Sequence, residues 1–108
     1  MAPSHVARPK PTGINKRGVP LWDSQELSAF RAAHGVTQAQ VGRQLQIPQS
    51  SIAAYFENVA GVVALTDERA AAYFDAIQEA ARRVERDRAS AAAYIAEIRA
   101  RRARGELR

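Results

Sequence analysis

Apolar residues lie without period over residues 1–20 and fall into helical spacing from Trp22 onward. In WDSQEL, Asp23 is placed to cap a helix with Glu26 three positions on, while Trp22 and Leu27 occupy the two places of a hydrophobic staple. Leu27, Phe30 and His34 share one face of that helix, and Gly35 sits where a left-handed residue ends it. Thr37 is the next cap. It opens a second helix through Leu45, on which Val41 and Leu45 share a face. After a turn at Gln46 and Ile47, Pro48 suits the first position of a third helix, where its missing N–H costs nothing. That helix is expected to run through about Tyr55, with Ile52 and Tyr55 as its anchors. Asn58 and Gly61 break the pattern.

Thr66 is placed to cap a further helix, with Asp67 and Glu68 favourably set against its dipole. Ile77, Val84, Ala91 and Ile98 recur at steps of seven in an alanine-rich stretch free of Gly and Pro as far as Arg104. A straight helix over 67–104 would measure roughly 57 Å. The heptad falters on Asp87 and Arg88, and Asp87 or Ser90 offers a new cap, so two helices or a bend are expected. The fold class predicted is all-α: a flexible basic arm (1–20), a central helix-turn-helix domain (21–65), and a C-terminal helical region (66–108) that completes the core and dimerises.

The chain has 108 residues, no cysteine and a net charge of +5. That size suits one small domain, and no disulfide or thiolate metal site is available to it. The longest apolar run, VAGVVAL, is too short to span a bilayer, and an apolar signal core is missing, so a cytoplasmic protein is expected, in a bacterial cytosol or nucleoid. The charge is uneven. Residues 1–20 hold Arg8, Lys10, Lys16 and Arg17 and no acid, whereas residues 21–65 are slightly acidic. A polyanion would therefore be attracted chiefly by the flanks.

Within GVTQAQVGRQLQIPQSSIAAYF (35–56), Gly42 permits close helix crossing, Ile47 plugs the turn, and Val41, Leu45, Ile52 and Tyr55 supply anchors. These are the steric demands of a helix-turn-helix. The stretch from Leu27 to Glu57 resembles the lambda-repressor-like (XRE) family of helix-turn-helix regulators, through GVTQAQVGRQL and IPQSSIAAYF. The resemblance implies that Gln38 bonds a DNA phosphate and that Gln49, Ser50 and Ala53 face base edges in the major groove. Thr37, Arg43, Ser51 and Asn58 join Gln38 as expected backbone contacts. Three positions depart from the family pattern: Gln46 stands where the turn usually has glycine, Ala54 where a long polar residue is common, and Phe56 where a glutamate often sits.

The alternative to a DNA-reading unit is a helical corner with no DNA role, and the polar, uncharged residues 49–51 weigh against it. A glutamine amide can pair with adenine N7 and N6, and an alanine can pack on a thymine methyl, so Gln49 and Ala53 suit an A·T-containing half-site. Arg8, Lys10, Lys16 and Arg17 are expected arm contacts along the backbone or in a narrow minor groove; a solubilising tail is the competing account. The arginines at 99, 101, 102, 104 and 108 fit a solvated face better than a phosphate-binding one. His5 and His34 lack partners, and His34 is expected at the surface or half-buried. No phosphate cradle, metal-ligand cluster or activated nucleophile is visible, so neither an enzyme nor a cofactor is expected.

Tyr94, Ile95 and Ile98 lie beyond what the small domain covers, and a second copy is the simplest partner for them. The function expected is a homodimeric, sequence-specific repressor of phage or plasmid type, bound to double-stranded DNA at a pseudo-palindromic operator. The alternatives are an antitoxin whose C-terminal helix binds a toxin protein, with autorepression, and a DNA-packaging or assembly subunit.

Overall fold

The computed structural model describes residues 6–105. His5 and Arg108, and the outer ends of the expected arm and C-terminal region, lie outside the described residues. The element order is β1 (Gly13–Ile14), β2 (Pro20–Asp23), α1 (Ser24–Ala33), α2 (Gln38–Leu45), α3 (Gln49–Ser51) running on into a π-turn (Ile52–Phe56), β3 (Val62–Ala64) and α4 (Asp67–Ala103). The expectation of an all-α fold is therefore corrected. A three-stranded antiparallel sheet, in order β1-β2-β3, accompanies the helices.

The sheet draws on the segment expected as a free arm. β1 pairs with β2 through Gly13 opposite Leu21, and β2 pairs with β3 through Trp22 opposite Val63. Trp22 faces inward from β2, and its indole N–H donates to the Leu65 carbonyl at 3.0 Å. Between β1 and β2 the chain turns tightly. The Asn15 side chain accepts from the Arg17 and Val19 N–H groups, so Lys16 and Arg17 stand exposed at the hairpin tip. Arg8 runs back along the body, bonding Asp75 and Gln78 on α4 with its guanidinium over the Phe74 ring.

The helix ends agree with the local signals. Asp23 accepts from the Gln25 and Glu26 N–H groups. Gly35 takes φ +67° after α1, and Thr66 accepts from Arg69 N–H. Pro48 stands at the cap of α3, one residue before its first turn. The core gathers Leu27, Phe30, Val41, Ile52, Phe56, Leu65, Tyr73, Phe74 and Ile77 between the helices and the inner face of the sheet. His34 is buried rather than superficial, with its Nδ1 2.9 Å from the Phe30 carbonyl.

The expected break near Asp87 is absent: α4 is one helix of 37 residues. Alanine carries the best helix propensity, and ion pairs at three and four residues' spacing bind the turns together, among them Arg82–Glu79, Arg88–Glu85 and Arg101–Glu97. Asp87 and Ser90 lie inside the helix and cap nothing. From Arg82 to Ala103 every residue is exposed except the half-buried Val84, Ile98 and Ala100, so this half projects from a body some 21–28 Å across to give a long dimension of 70 Å.

Candidate nucleic-acid interface

Two short helices and the turn between them form the unit. A Cβ added at Gly42 would stand 2.7 Å from the Ile47 carbonyl oxygen and 3.4 Å from Gln49 N, so only glycine lets the turn and the start of α3 cross α2 this closely. Gln46 ends α2 at φ 60°, ψ 40°. The left-handed turn that glycine normally supplies is thus kept with a side chain that strains it. Val41 is wholly buried beneath the turn, and Leu45 and Ile47 pack on the core's margin.

At the start of α2, Thr37 forms a reciprocal capping box. Its hydroxyl accepts from Gln40 N–H at 3.1 Å, and its own N–H donates to the Gln40 side-chain oxygen at 2.8 Å. Gln38, half-buried, is held from two sides: its amide N–H donates to Glu57 at 3.2 Å, and its oxygen accepts from the Gln49 amide at 3.4 Å. Two of the expected DNA contacts are brought together in this way. Gln49, Ser50 and Ala53 are exposed, and Ser51 is half-buried.

The side chain that organises the site was not among those expected. Glu57, only 2% exposed at its side chain, receives two bonds from Arg31 at 2.9 Å, one from the Tyr73 hydroxyl at 2.6 Å and one from Gln38. Burial alone would raise its pKa, but the bonds from Arg31, Tyr73 and Gln38 outweigh this and hold the carboxyl below its ordinary value. The bond to Glu57 raises Arg31. Burial, and then the adjacent carboxylate, push the Tyr73 phenol far above its usual range, so it remains a donor. Arg31 also bonds the Val36 carbonyl at 2.9 Å, tying α1, the α1–α2 turn, the end of the π-turn and α4 to one carboxylate.

The π-turn accounts for the departure at Phe56 and for the loss of the anchor expected at Tyr55. Glu57 N–H bonds the Ile52 carbonyl at 3.0 Å, five residues back, so the turn holds one residue more than an α-turn. The anchor expected at Tyr55 passes to Phe56, which stacks on Tyr73 at 4.9 Å, and Tyr55 is turned out to 64% exposure. Everything after the extra residue moves on by one, so the acid turned inward is Glu57, one position beyond the departure at Phe56. The sequence held this signal only as an acid one position late.

Other expected contacts are placed differently. The Asn58 amide donates to the Ala54 carbonyl and its oxygen accepts from Ala60 N–H, committing the side chain to the exit from the π-turn. Arg43 lines a groove between α2 and α4 with Gln40, Gln44, Arg83 and Asp87. Of the four basic residues of the expected arm, Arg8 is tied to α4, while Lys10, Lys16 and Arg17 are exposed. Tyr94 and Ile95 are exposed on the projecting half of α4, and Ile98 is half-buried. No helix among the described residues is long and apolar enough to cross a membrane. Comparison with models of known families, with curated proteins and with solved structures found no match to the chain.

Proposed function

We propose that the chain is a sequence-specific, DNA-binding transcription regulator of the lambda-repressor-like kind, acting in the cytoplasm as a homodimer that represses by occupying a promoter. The observation that carries this is the Gln38–Gln49 amide pair on a glycine-packed helical corner. One N–H of Gln49 is used to bond Gln38. A second N–H and the carbonyl oxygen remain to meet adenine N7 and N6 in the major groove. Ser50 and Ala53 would complete an uncharged reading face, and Gln38, held between Glu57 and Gln49, would meet a phosphate on the α2 side.

Nonspecific attraction then falls to Lys10, Lys16 and Arg17. The projecting half of α4 supports a protein contact, and a second copy joined there would present two reading units to one pseudo-palindrome. Binding of a toxin or assembly into a packaging ring would use the same half of α4. The test is selection from random-sequence duplex DNA with the purified full chain. Enrichment of a two-fold motif with A·T pairs in each half supports the proposal, and no enrichment over input overturns it.

A further inference from the structure

The π-turn turns outward a residue, Tyr55, whose side chain makes no hydrogen bond or ring stacking among the described residues. In an unbroken α-helix both Tyr55 and Phe56, three and four positions after Ile52, would lie on its buried side. The wider turn gives that side to Phe56 alone, and Tyr55 is left 64% exposed. Four rows of side chains now run along the helix, each made of residues four apart. Ile52 and Phe56 form the buried row. Around from it come Gln49 with Ala53, Ser50 with Ala54, and Ser51 with Tyr55.

Gln49 bonds Gln38, so its row adjoins α2. With about four residues to a turn, Ser50 and Ala54, both exposed, fall opposite the buried row, and Ser51 with Tyr55 falls on the flank away from α2. The chemistry of the rows is complementary. Ala53 and Ala54 are short enough to let the helix backbone settle toward the floor of a major groove, whereas Tyr55 is the longest side chain directed outward from this helix. Between Arg43 and Glu57 the sequence has no charged residue. Any anchor that this helix itself supplies on that flank is therefore neutral, and a phenol suits, since its O–H donates to an anionic oxygen while its ring stays rigid.

We propose that Tyr55 is a DNA-backbone contact, its hydroxyl donating to a phosphate on the groove wall opposite the one beside Gln38; this rests on the DNA-binding function proposed above. The extra residue of the π-turn thus adds a second fixed point, and a helix held at both walls keeps Gln49 in register with its base pair. Phosphate contacts position, and base contacts specify.

The test uses the full chain and the duplex it selects, with affinity measured by fluorescence anisotropy. Tyr55→Phe, whose circular dichroism and melting should match the wild type, is expected to bind roughly three- to tenfold more weakly, the usual worth of one hydrogen bond, on selected and unrelated duplexes alike. The slope of affinity against salt should not change, because the phenol neutralises no phosphate. Replacing phosphates one at a time by neutral methylphosphonates should reveal one position that weakens the wild type and has no further effect on Tyr55→Phe. Unchanged affinity of the variant, a preference altered at a single base pair, or additive losses at every phosphate would each overturn the assignment while leaving DNA binding intact. If the wild type selects no duplex at all, the proposed function fails first and this contact with it.

Discussion

The Tyr73 hydroxyl lies 2.6 Å from a carboxylate oxygen of Glu57, so the long helix α4 is bonded to the residue that closes the π-turn after α3. Arg31 meets the same carboxylate from α1. Removing one partner of a buried pair leaves the other charge uncompensated, so Glu57→Ala should cost roughly 3 kcal/mol, and Tyr73→Phe, which loses one charge-assisted bond, about 1.5 kcal/mol. The Glu57 carboxyl is held below its ordinary value when folded. Its contribution is therefore fully present above the unfolded carboxylate range, and is lost as pH falls through the folded value. Melting between pH 7 and pH 3 should show the wild type weakening at the acid end, and Glu57→Gln weakening less steeply. Parallel curves for the two would assign the acid sensitivity to other carboxylates.

A second prediction concerns the turn. Gly42→Val drives a side chain into the Ile47 carbonyl and the start of α3, which have no flexible side-chain end to yield. It should destabilise by about 1–3 kcal/mol or more, as overpacking does. Gln46→Gly should act in the opposite direction. It relieves a left-handed non-glycine residue and stabilises by up to about 1 kcal/mol, part of which is offset by the greater freedom of glycine in the unfolded chain. Urea denaturation of both variants measures the two effects. A Gln46→Gly variant less stable than wild type would mean that the Gln46 side chain makes a compensating contact.

These features differ in how far they could be read from the chain. Caps were legible because they are local: Asp23, Thr37 and Thr66 each bond an N–H two or three residues away, and Gly35 acts through its own φ. The sheet was not. Its strands have two, four and three residues, too few to show alternation, and Pro20 and Gly13 disguise two of them. The single helix α4 is obscured because its heptad falters at Asp87 and Arg88, whereas the alanines and paired charges that sustain it carry no apolar period. The π-turn was hidden because Ile52 and Phe56, four apart, also satisfy an ordinary helix. Arg8 and Glu57 find partners 67 and 26 residues away, respectively, which no local pattern indicates.

Gln49 carries the third prediction. Gln49→Ala removes the exposed amide and leaves the helical corner intact, so specific affinity should fall by about 1–3 kcal/mol with preference relaxed at one base pair. Nonspecific affinity should hardly change. An equal loss on every duplex would make Gln49 a backbone contact instead.

The basic residues near the N-terminus divide into two groups. Lys10, Lys16 and Arg17 are exposed, and changing all three to Ala should flatten the salt dependence of binding by up to about 0.9 per lost phosphate contact. Arg8→Ala should leave that slope unaltered, because its guanidinium is engaged with Asp75 and Gln78. That ion pair is exposed, and its loss should lower stability by no more than about 1 kcal/mol. If Arg8→Ala changes the slope as much as the others do, its contact with α4 gives way when DNA binds.

The last prediction concerns the part of α4 beyond Asp87, which projects from the body with most of its residues exposed. Tyr94 is 67% and Ile95 49% exposed, with Ile98 half-buried a turn further on, in a stretch whose only charge between Ala89 and Ile98 is Glu97. Burying each large aliphatic side chain would contribute roughly 1.5–3 kcal/mol, and two such helices joined along this stretch would set two reading units on one duplex, with half-sites about 34–36 Å apart or a multiple of that. Arg99 and Arg102 flank the patch, so repulsion between copies should make association stronger at moderate salt than at low salt. Ile98→Asp should shift the protein toward monomer and weaken operator binding, while its circular dichroism stays helical, because the helix is already solvated there. Light scattering at micromolar concentration reads the oligomeric state of both proteins. A monomeric wild type, or a variant that still dimerises, would remove this patch from the interface and leave the projecting helix to a partner other than a second copy.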